Sequence, residues 1–418
     1  MDTILEIAKK AKENTKFISN AGTRIKNKIL ADISKHLTSS AEEIIKENEK
    51  DMKASGEKGV PESLMDRLKL NRERIEKKAE SINKIIKFED PVGEVIFGYN
   101  LPNGLILKNI RVPLGVIGII YEARPDVTID ASVLCIKAGN CIILRGSSHA
   151  LNTNKKLVEV MGRGLEDNDL PKSIIQIIPS ADREDAVRLM QLRQYIDVLI
   201  PRGGKSLIDS VVENSRIPVI ETGIGNCHIY IDSMLDGIGK SIITDIVVNS
   251  KTQRPSVCNA AEKLLVHKNA AREILPIVLK KLEEKNVKLL GCPVTRQIYP
   301  SVEPAAEKDW YEEYLDYKMA VKVVDGIGDA VNHINKYGSH HTETIITSDY
   351  RNSIYFTNEI DSAAVFVNAS TRFTDGEEFG LGAEIGISTQ RLHWRGPMGL
   401  RQLTTNKFIV LGQGQIRE

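Results

Sequence analysis

Paired cysteines are missing from this chain. Its five cysteines (Cys135, Cys141, Cys227, Cys258 and Cys292) are scattered and never form a CxxC pair. That spacing argues against a disulfide framework or a zinc site and for a reducing compartment. No apolar run approaches the ~20 residues that a membrane helix needs. The opening MDTILEIAKKAKENTKFIS interrupts its apolar residues with charges, as an amphipathic helix does and a signal peptide does not. A soluble, cytoplasmic protein without a membrane partner is expected. Neither charge dominates: 57 Lys plus Arg against 56 Asp plus Glu leave a net +1, which gives no general attraction to nucleic acid. Aromatics are sparse at 5%, but 41% hydrophobic and 27% charged is a globular composition. No fixed-period repeat or low-complexity segment interrupts the 418 residues, a length suited to two or three structural units.

What is present is a change of texture along the chain. The first 90 residues are helical in pattern, with Ile25, Ile29, Ile33 and Leu37 at helical spacing. Ser40 followed by Glu43 fits a capping box, and Asn71 precedes a run through Ile75, Ala79, Ile82 and Ile86. From residue 91, β-branched residues and glycine predict strands and a hairpin. Between 111 and 232 short apolar strands (GVIGIIY, CIILRG, IIQIIP, DVLIPRG, IPVIET, HIYID) alternate with helical stretches. Alternation of this kind predicts right-handed crossovers and a mostly parallel, doubly wound sheet, an α/β fold. A second alternation runs from a helix over 236–252 through EKLLVH, VKLLGC, MAVKVVD and ETIITS. The tail LTTNKFIVLGQGQIRE ends in an uncovered strand, the kind that pairs with another domain or subunit.

Several places suit chemistry. Free cysteines are usually small, inert core residues. Cys258 differs in setting, because Pro255 ends the preceding helix and Lys251 and Arg254 favour a thiolate. No GxGxxG follows the first strand; GLGAEIG at 380–386 has the wrong spacing. Two strand ends, LRGSSHA and IPRGGKS, each present an arginine, glycine and a helix start. That arrangement suits a phosphate, although tight strand-to-helix turns need the same residues. ETGIGNCHIYID offers Glu221 and His228 as acid–base groups around a glycine turn with Gly223; a solvated carboxylate and a satisfied imidazole are equally compatible. The glycine-, proline- and charge-rich 378–400 reads as an ordered functional loop.

The segments PLGVIGIIYEARPDVTIDASVLCIKAGNCIILRG, LIPRGGKSLI, ETGIGNCHIYID, TQRPSVCNAAEKLLVH and FGLGAEIGISTQRLHWRGPMGL together resemble the gamma-glutamyl phosphate reductase family of the aldehyde dehydrogenase superfamily, in order and over essentially the whole chain. The resemblance implies a Rossmann-type cofactor domain (1–94 and 113–227), an α/β catalytic domain (228–375) and oligomerisation strands (95–112 and 400–418). Residues 376–399 would then loop back toward the cofactor domain. It puts Cys258 at the nucleophile position, Arg145 where the superfamily contacts the adenosine ribose, and Arg202, Gly203 and Gly204 at the pyrophosphate. Gly146, Ser147 and Gly223 would line the cofactor site. No acid follows Arg145, which favours NADPH over NADH.

Two departures from the superfamily matter. YEARPDV replaces the segment that carries its asparagine oxyanion donor, leaving the Cys258 N–H with Asn259 or Arg124 for that task. Glu221 stands where hydrolytic relatives keep a water-activating base, a role at odds with an acyl-phosphate reductase. Arg124, Asp126, Lys251, Arg254, His393 and Arg395 are the substrate-binding candidates, and no metal is implied. The expected reaction is NADPH-dependent reduction of L-glutamyl 5-phosphate to L-glutamate 5-semialdehyde through a Cys258 thioester, the second step of proline biosynthesis. A separate glutamate 5-kinase is the expected functional partner, and the enzyme a homo-oligomer. The alternatives are a hydrolytic aldehyde dehydrogenase acting on another small aldehyde and a dinucleotide-binding scaffold with a dead site.

Overall fold

The computed structural model describes residues 3–122 and 124–417, so the first two residues of the expected N-terminal helix lie outside the described residues. The chain divides into two compact units. One holds the residues up to Glu221, Gly380–Gly386 and those from Met398 onward; the other holds Thr222–Phe379 and Ile387–Pro397.

The first unit opens with helices α1 (Thr3–Ser19), α2 (Thr23–Ser39), α3 (Ala41–Glu57), α4 (Glu62–Leu68) and α5 (Arg72–Ile86). Ile29, Ile33 and Leu37 of α2 and Ile75, Ala79 and Ile82 of α5 are buried, as their period requires, whereas Ile25 is exposed. Asn71 caps α5 by accepting the Arg74 N–H at 2.9 Å. The capping box expected at Ser40 does not form. Ser40 Oγ accepts from Arg163 Nη1 at 2.9 Å and Glu43 accepts from Nη2 at 3.0 Å, because a charged donor outcompetes the local amide.

A hairpin of β1 (Val95–Asn100) and β2 (Ile106–Pro113) follows. Then come β3 (Val116–Tyr121), α6 (Pro125–Lys137), β4 (Cys141–Arg145), α7 (Leu151–Glu166), β5 (Ile175–Ile177), α8 (Arg183–Met190), β6 (Val198–Arg202) and α9 (Lys205–Asn214). The four strands β3 to β6 form a parallel sheet in the order β5-β4-β3-β6. All six residues of β3 are buried, as befits a parallel strand covered on both faces. The expected strand IPVIET reduces to two isolated bridges, Val219 with Leu199 and Thr222 with Ser388, since Pro218 has no N–H for a ladder.

The second unit contains β7 (Cys227–Ile231), α10 (Lys240–Thr252), β8 (Ala261–His267), α11 (Lys268–Glu283), β9 (Lys288–Gly291), α12 (Pro293–Ile298) and β10 (Glu303–Pro304). It continues with α13 (Glu307–Tyr311), β11 (Lys318–Val324), α14 (Ile327–Tyr337), β12 (Thr342–Ile346), α15 (Tyr350–Glu359), β13 (Ala364–Val367), β14 (Ile387–Ser388) and β15 (Gly396–Pro397). Seven of these strands make a parallel sheet ordered β10-β9-β11-β8-β7-β12-β13. The final strand, β16 (Thr404–Leu411), belongs to the first unit, where it pairs antiparallel with β2 from Thr404↔Pro113 to Leu411↔Ile106. Val95, Phe97 and Tyr99 of β1 and Phe408 and Val410 of β16 leave an exposed apolar face on this three-stranded sheet. Among the described residues no helix is long and apolar enough to cross a membrane.

Candidate active site

In the first unit, β4 and β5 extend to one side of β3 and β6 to the other. The carboxyl ends of β3 and β6 therefore flank the topological switch point, the place where open α/β sheets bind ligands. β6 ends at Arg202, and Gly203 and Gly204 lead into α9 with Gly204 as its cap. Glu122, just after β3, accepts the Gly204 N–H at 2.8 Å. A Cβ on Gly203 would collide with the Glu122 carboxyl group and Leu207, so only glycine permits this approach.

β4 ends at Arg145, whose Nη2 donates to the Ala181 and Asp182 carbonyls at 2.7 and 3.1 Å. Its Nε is buried without a partner. Gly146 leaves no room for a side chain against Asn154 and Tyr121, and Ser147 precedes the turn into α7. An arginine with an unmet donor, two glycine turns and a helix start at a switch point fit a dinucleotide, whose pyrophosphate would have to take the Gly204 N–H from Glu122. Arg124 stands at the cap of α6. Asp126 in its first turn lies 3.8 Å from Lys78 and accepts the Val127 N–H. Glu221, half-buried, ends this stretch of the unit.

In the second unit, Cys258 lies in the turn between α10 and β8 and is the one cysteine of five that is not buried. Burial pushes the Cys141 thiol up to about 12 and holds Cys135 and Cys227 far above the ordinary range, so these three are core thiols. The Cys258 main chain is gripped from two sides. Cys227 Sγ donates to the Cys258 carbonyl at 3.1 Å, and a Cβ on Gly225 would collide with that carbonyl. The Gly225 N–H in turn donates to Glu313 Oε1 at 2.6 Å. On the other side, Thr371 Oγ1 donates to the Asn259 carbonyl at 2.7 Å.

Several expected contacts lie elsewhere. Asn259 Nδ2 donates to the carbonyls of Arg372 and Thr374 at 3.3 and 2.8 Å, which commits both its hydrogens. Turning the amide over would set its oxygen against two carbonyl oxygens. The Asn259 side chain is therefore a loop clamp and not an oxyanion donor. Lys251 is wholly buried, its Nζ 3.0 Å from the equally buried Glu262, so it is spent on an internal ion pair instead of a phosphate. Arg395 forks onto Asp361, donating to Oδ1 at 2.6 Å and to its carbonyl at 3.0 Å; that carboxylate takes the place expected for substrate. His228 is not an acid–base group at a surface turn. It is fully buried in β7, where burial holds the imidazole neutral, beside Glu343 and His333. Arg254 and His393 are exposed. Gly223 belongs to the second unit, where its N–H donates to the Ile387 carbonyl at 3.1 Å and a Cβ would collide with Thr389. The residues that sequence reading missed are Glu122, Gly225, Glu313 and the 370–374 segment. Of these, only Glu122 and Gly225 sit inside the segments that carried the resemblance.

Residues 1–317 match the aldehyde dehydrogenase family, and the chain belongs to it. An engineered glycolyl-CoA reductase with bound NADP+, 14% identical with a TM-score of 0.69, shares the fold. A gamma-glutamyl phosphate reductase of Caldicellulosiruptor bescii is 52% identical over 422 residues, with both chains covered in full. One from Clostridium perfringens is 54% identical over 98% of each chain. The crystal structure of gamma-glutamyl phosphate reductase from Thermotoga maritima is 48% identical and covers all of both chains with a TM-score of 0.97. Like these relatives the chain is an oxidoreductase, and its family uses a nicotinamide cofactor.

Proposed function

We propose that this chain reduces L-glutamyl 5-phosphate to L-glutamate 5-semialdehyde and inorganic phosphate with NADPH, as the second step of proline biosynthesis. The observation that carries the reading is the partly exposed Cys258, held through its own carbonyl and that of Asn259, in a chain half identical over its full length to enzymes named for this reaction.

Cys258, as thiolate, attacks the γ-carbonyl carbon and expels phosphate, leaving a thioester. A nicotinamide cofactor, when bound, would supply the hydride for the thioester carbon. With the Asn259 amide committed to its loop, the oxyanion role falls to the Cys258 main-chain N–H. Cys258 then leaves as thiolate and frees the semialdehyde, which closes on its own amine to pyrroline-5-carboxylate. Arg145, Gly146, Ser147 and Arg202–Gly204 would hold the cofactor. The absence of an acid after Arg145 supports NADPH, because a carboxylate there would repel a 2′-phosphate. Arg254 and His393, both exposed, remain candidates for the substrate's charged groups, with Arg124 and Asp126 of the first unit. The apolar sheet of β1, β2 and β16 supports a homo-oligomer, and the labile acyl phosphate calls for a kinase that supplies it.

The test is oxidation of pyrroline-5-carboxylate by NADP+ with and without inorganic phosphate. Phosphate-dependent NADPH formation is the expected result. Equal rates without phosphate would show that water deacylates the enzyme, and the hydrolytic reading with Glu221 as base would replace this one.

A further inference from the structure

After β13 the chain reverses at Asn368, which takes the left-handed conformation at φ 56°. Its side-chain oxygen accepts the Thr347 N–H at 2.9 Å, and its amide donates to the Thr347 carbonyl at 2.8 Å. The returning segment runs back along β12, where Thr344 Oγ1 donates to the Ala369 carbonyl and Thr342 Oγ1 to Thr374 Oγ1, both at 2.9 Å. It then docks on the end of α10, with Ser370 Oγ 2.7 Å from Asn249 Oδ1 and 3.0 Å from Ser250 Oγ.

Arg372 sits at the centre of this segment. Its carbonyl is bonded to Asn259, the residue after the nucleophile. Its Nε donates to Gln253 Oε1 at 2.8 Å, five residues before the nucleophile. The half-buried side chain therefore spans the same turn, 253–259, that presents Cys258. Burial disfavours its charge; the strongest opposing influence is Cys258, followed by Asp375, while Arg254 acts with burial. A guanidinium keeps its proton throughout the working range of pH, so a fixed positive charge is tied to the turn that presents the thiol.

We propose that Arg372 is a catalytic residue: it holds Cys258 as the thiolate and receives the phosphate that the attack expels. The assignment rests on the acyl-phosphate reading above. In that step the sulfur lone pair forms the C–S bond, the C–O bond to phosphate breaks, and its electron pair departs on the phosphate oxygen. No proton has to be supplied. The sulfur's negative charge becomes phosphate's negative charge, and one arginine clamped on the nucleophile's turn would serve both ends of the transfer. Lys251, buried on Glu262, cannot take this part. Among the described residues the other charged or titratable groups around the turn include Arg254, Asp375, Cys227, Glu313, Glu343 and His341.

Iodoacetamide alkylation of Cys258 across pH reads the thiolate without any turnover. In Arg372→Gln the alkylation midpoint should rise by about one pH unit or more, the usual effect of removing an adjacent opposite charge. In pyrroline-5-carboxylate oxidation its KM for phosphate should rise at least tenfold, with KM for NADP+ unchanged. Arg372→Lys, which keeps the charge but not the fork, should hold the alkylation midpoint near that of the native enzyme. Midpoint and phosphate KM both unchanged in Arg372→Gln, or the KM rise appearing in Arg254→Gln instead, would overturn the assignment. If Arg372→Gln does not fold, the native enzyme decides. Inorganic phosphate should slow alkylation at neutral pH, and phosphate that leaves the rate unchanged refutes the proposal. Should the native enzyme oxidise without needing phosphate, the acyl-phosphate reading fails, while the alkylation midpoints still report separately on Arg372.

Discussion

Gly225→Ala adds one methyl group, and the structure fixes where it goes. The new Cβ would stand 2.6 Å from Cys258 Cα and closer still to the Cys258 carbonyl. Ordinary carbon contacts begin near 3.5 Å, so one of the two backbones must retreat by about 1 Å or more. Gly225 cannot move freely, because its N–H is tied to Glu313 and Asn226 beside it is bonded to the Trp310 and Tyr337 carbonyls. The displacement therefore falls on the nucleophile turn. It should weaken the bond from Cys227 Sγ to the Cys258 carbonyl and shift the sulfur itself. A misplacement of that size costs on the order of 100-fold in rate, equivalent to about 2.7 kcal/mol in the barrier. Overpacking should remove a further ~1–3 kcal/mol of folding stability. The assays are kcat for phosphate-dependent oxidation, the rate of Cys258 alkylation and thermal unfolding. Gly328→Ala, where a Cβ meets nothing within 4 Å, is the control; it should leave kcat alone and stabilise by no more than ~1 kcal/mol. A Gly225→Ala enzyme with native kcat and native alkylation would refute the idea that this glycine seats the nucleophile.

Cys258→Ser should lose at least ~1,000-fold in kcat while still binding NADP+, and near-native turnover would end the covalent mechanism. Lys251→Met strands a buried carboxylate at Glu262 and should destabilise by ~3–5 kcal/mol in urea unfolding. The double variant Lys251→Met/Glu262→Leu should recover most of that, and no recovery would mean that the pair is not the cause. His333 is buried and its Nδ1 accepts from Lys322 at 3.1 Å, which requires a neutral ring; burial first, then His228 and Lys322, depress its pKa to about 2. Because the folded value lies below the unfolded 6.5, the stability it contributes is present above pH 6.5 and is lost as pH falls toward 2. Relative to His333→Gln, the native protein should therefore lose ~1.4 kcal/mol per pH unit below 6.5, and a pH-independent difference would contradict the assignment.

The alternating strands and helices were legible because buried parallel strands read as unbroken apolar runs, as VIGIIY does, and their helices carry a 3.6-residue period. Cys258 was legible through its proline and basic neighbours. The partners of polar side chains were not. Lys251 and Arg254 look alike three residues apart, yet one lies inside on Glu262 and the other outside, a difference set by residues brought up from β8. Asn259 and Arg395 were read as facing substrate because local sequence shows a donor but not the distant acceptor it meets, here 113 and 34 residues away. The Ser40 capping box failed for the same reason, its acceptor claimed by Arg163 from 123 residues on. Arg372 carried no local signal, since only the reversal at Asn368 brings it to the cysteine turn.

The pairing of β16 with β2 bears on how the polypeptide is made. β2 ends at Pro113 and its partner begins at Thr404, 291 residues later (404 − 113). At about 5–20 residues per second of synthesis, one edge of β2 waits ~15–60 s for its neighbour. The whole second sheet can emerge and collapse in that interval, inserted within a first unit that is still incomplete. Until Leu411 reaches Ile106 the hairpin offers an open row of amides to any passing strand. Along this edge, from Ile106 to Pro113, β2 presents two charges, Lys108 and Arg111, both positive. Those like charges discourage pairing with another copy of the same edge, and speed covers the remaining exposure. Slowing translation between β2 and β16 should raise misassembly without altering a single contact of the finished enzyme.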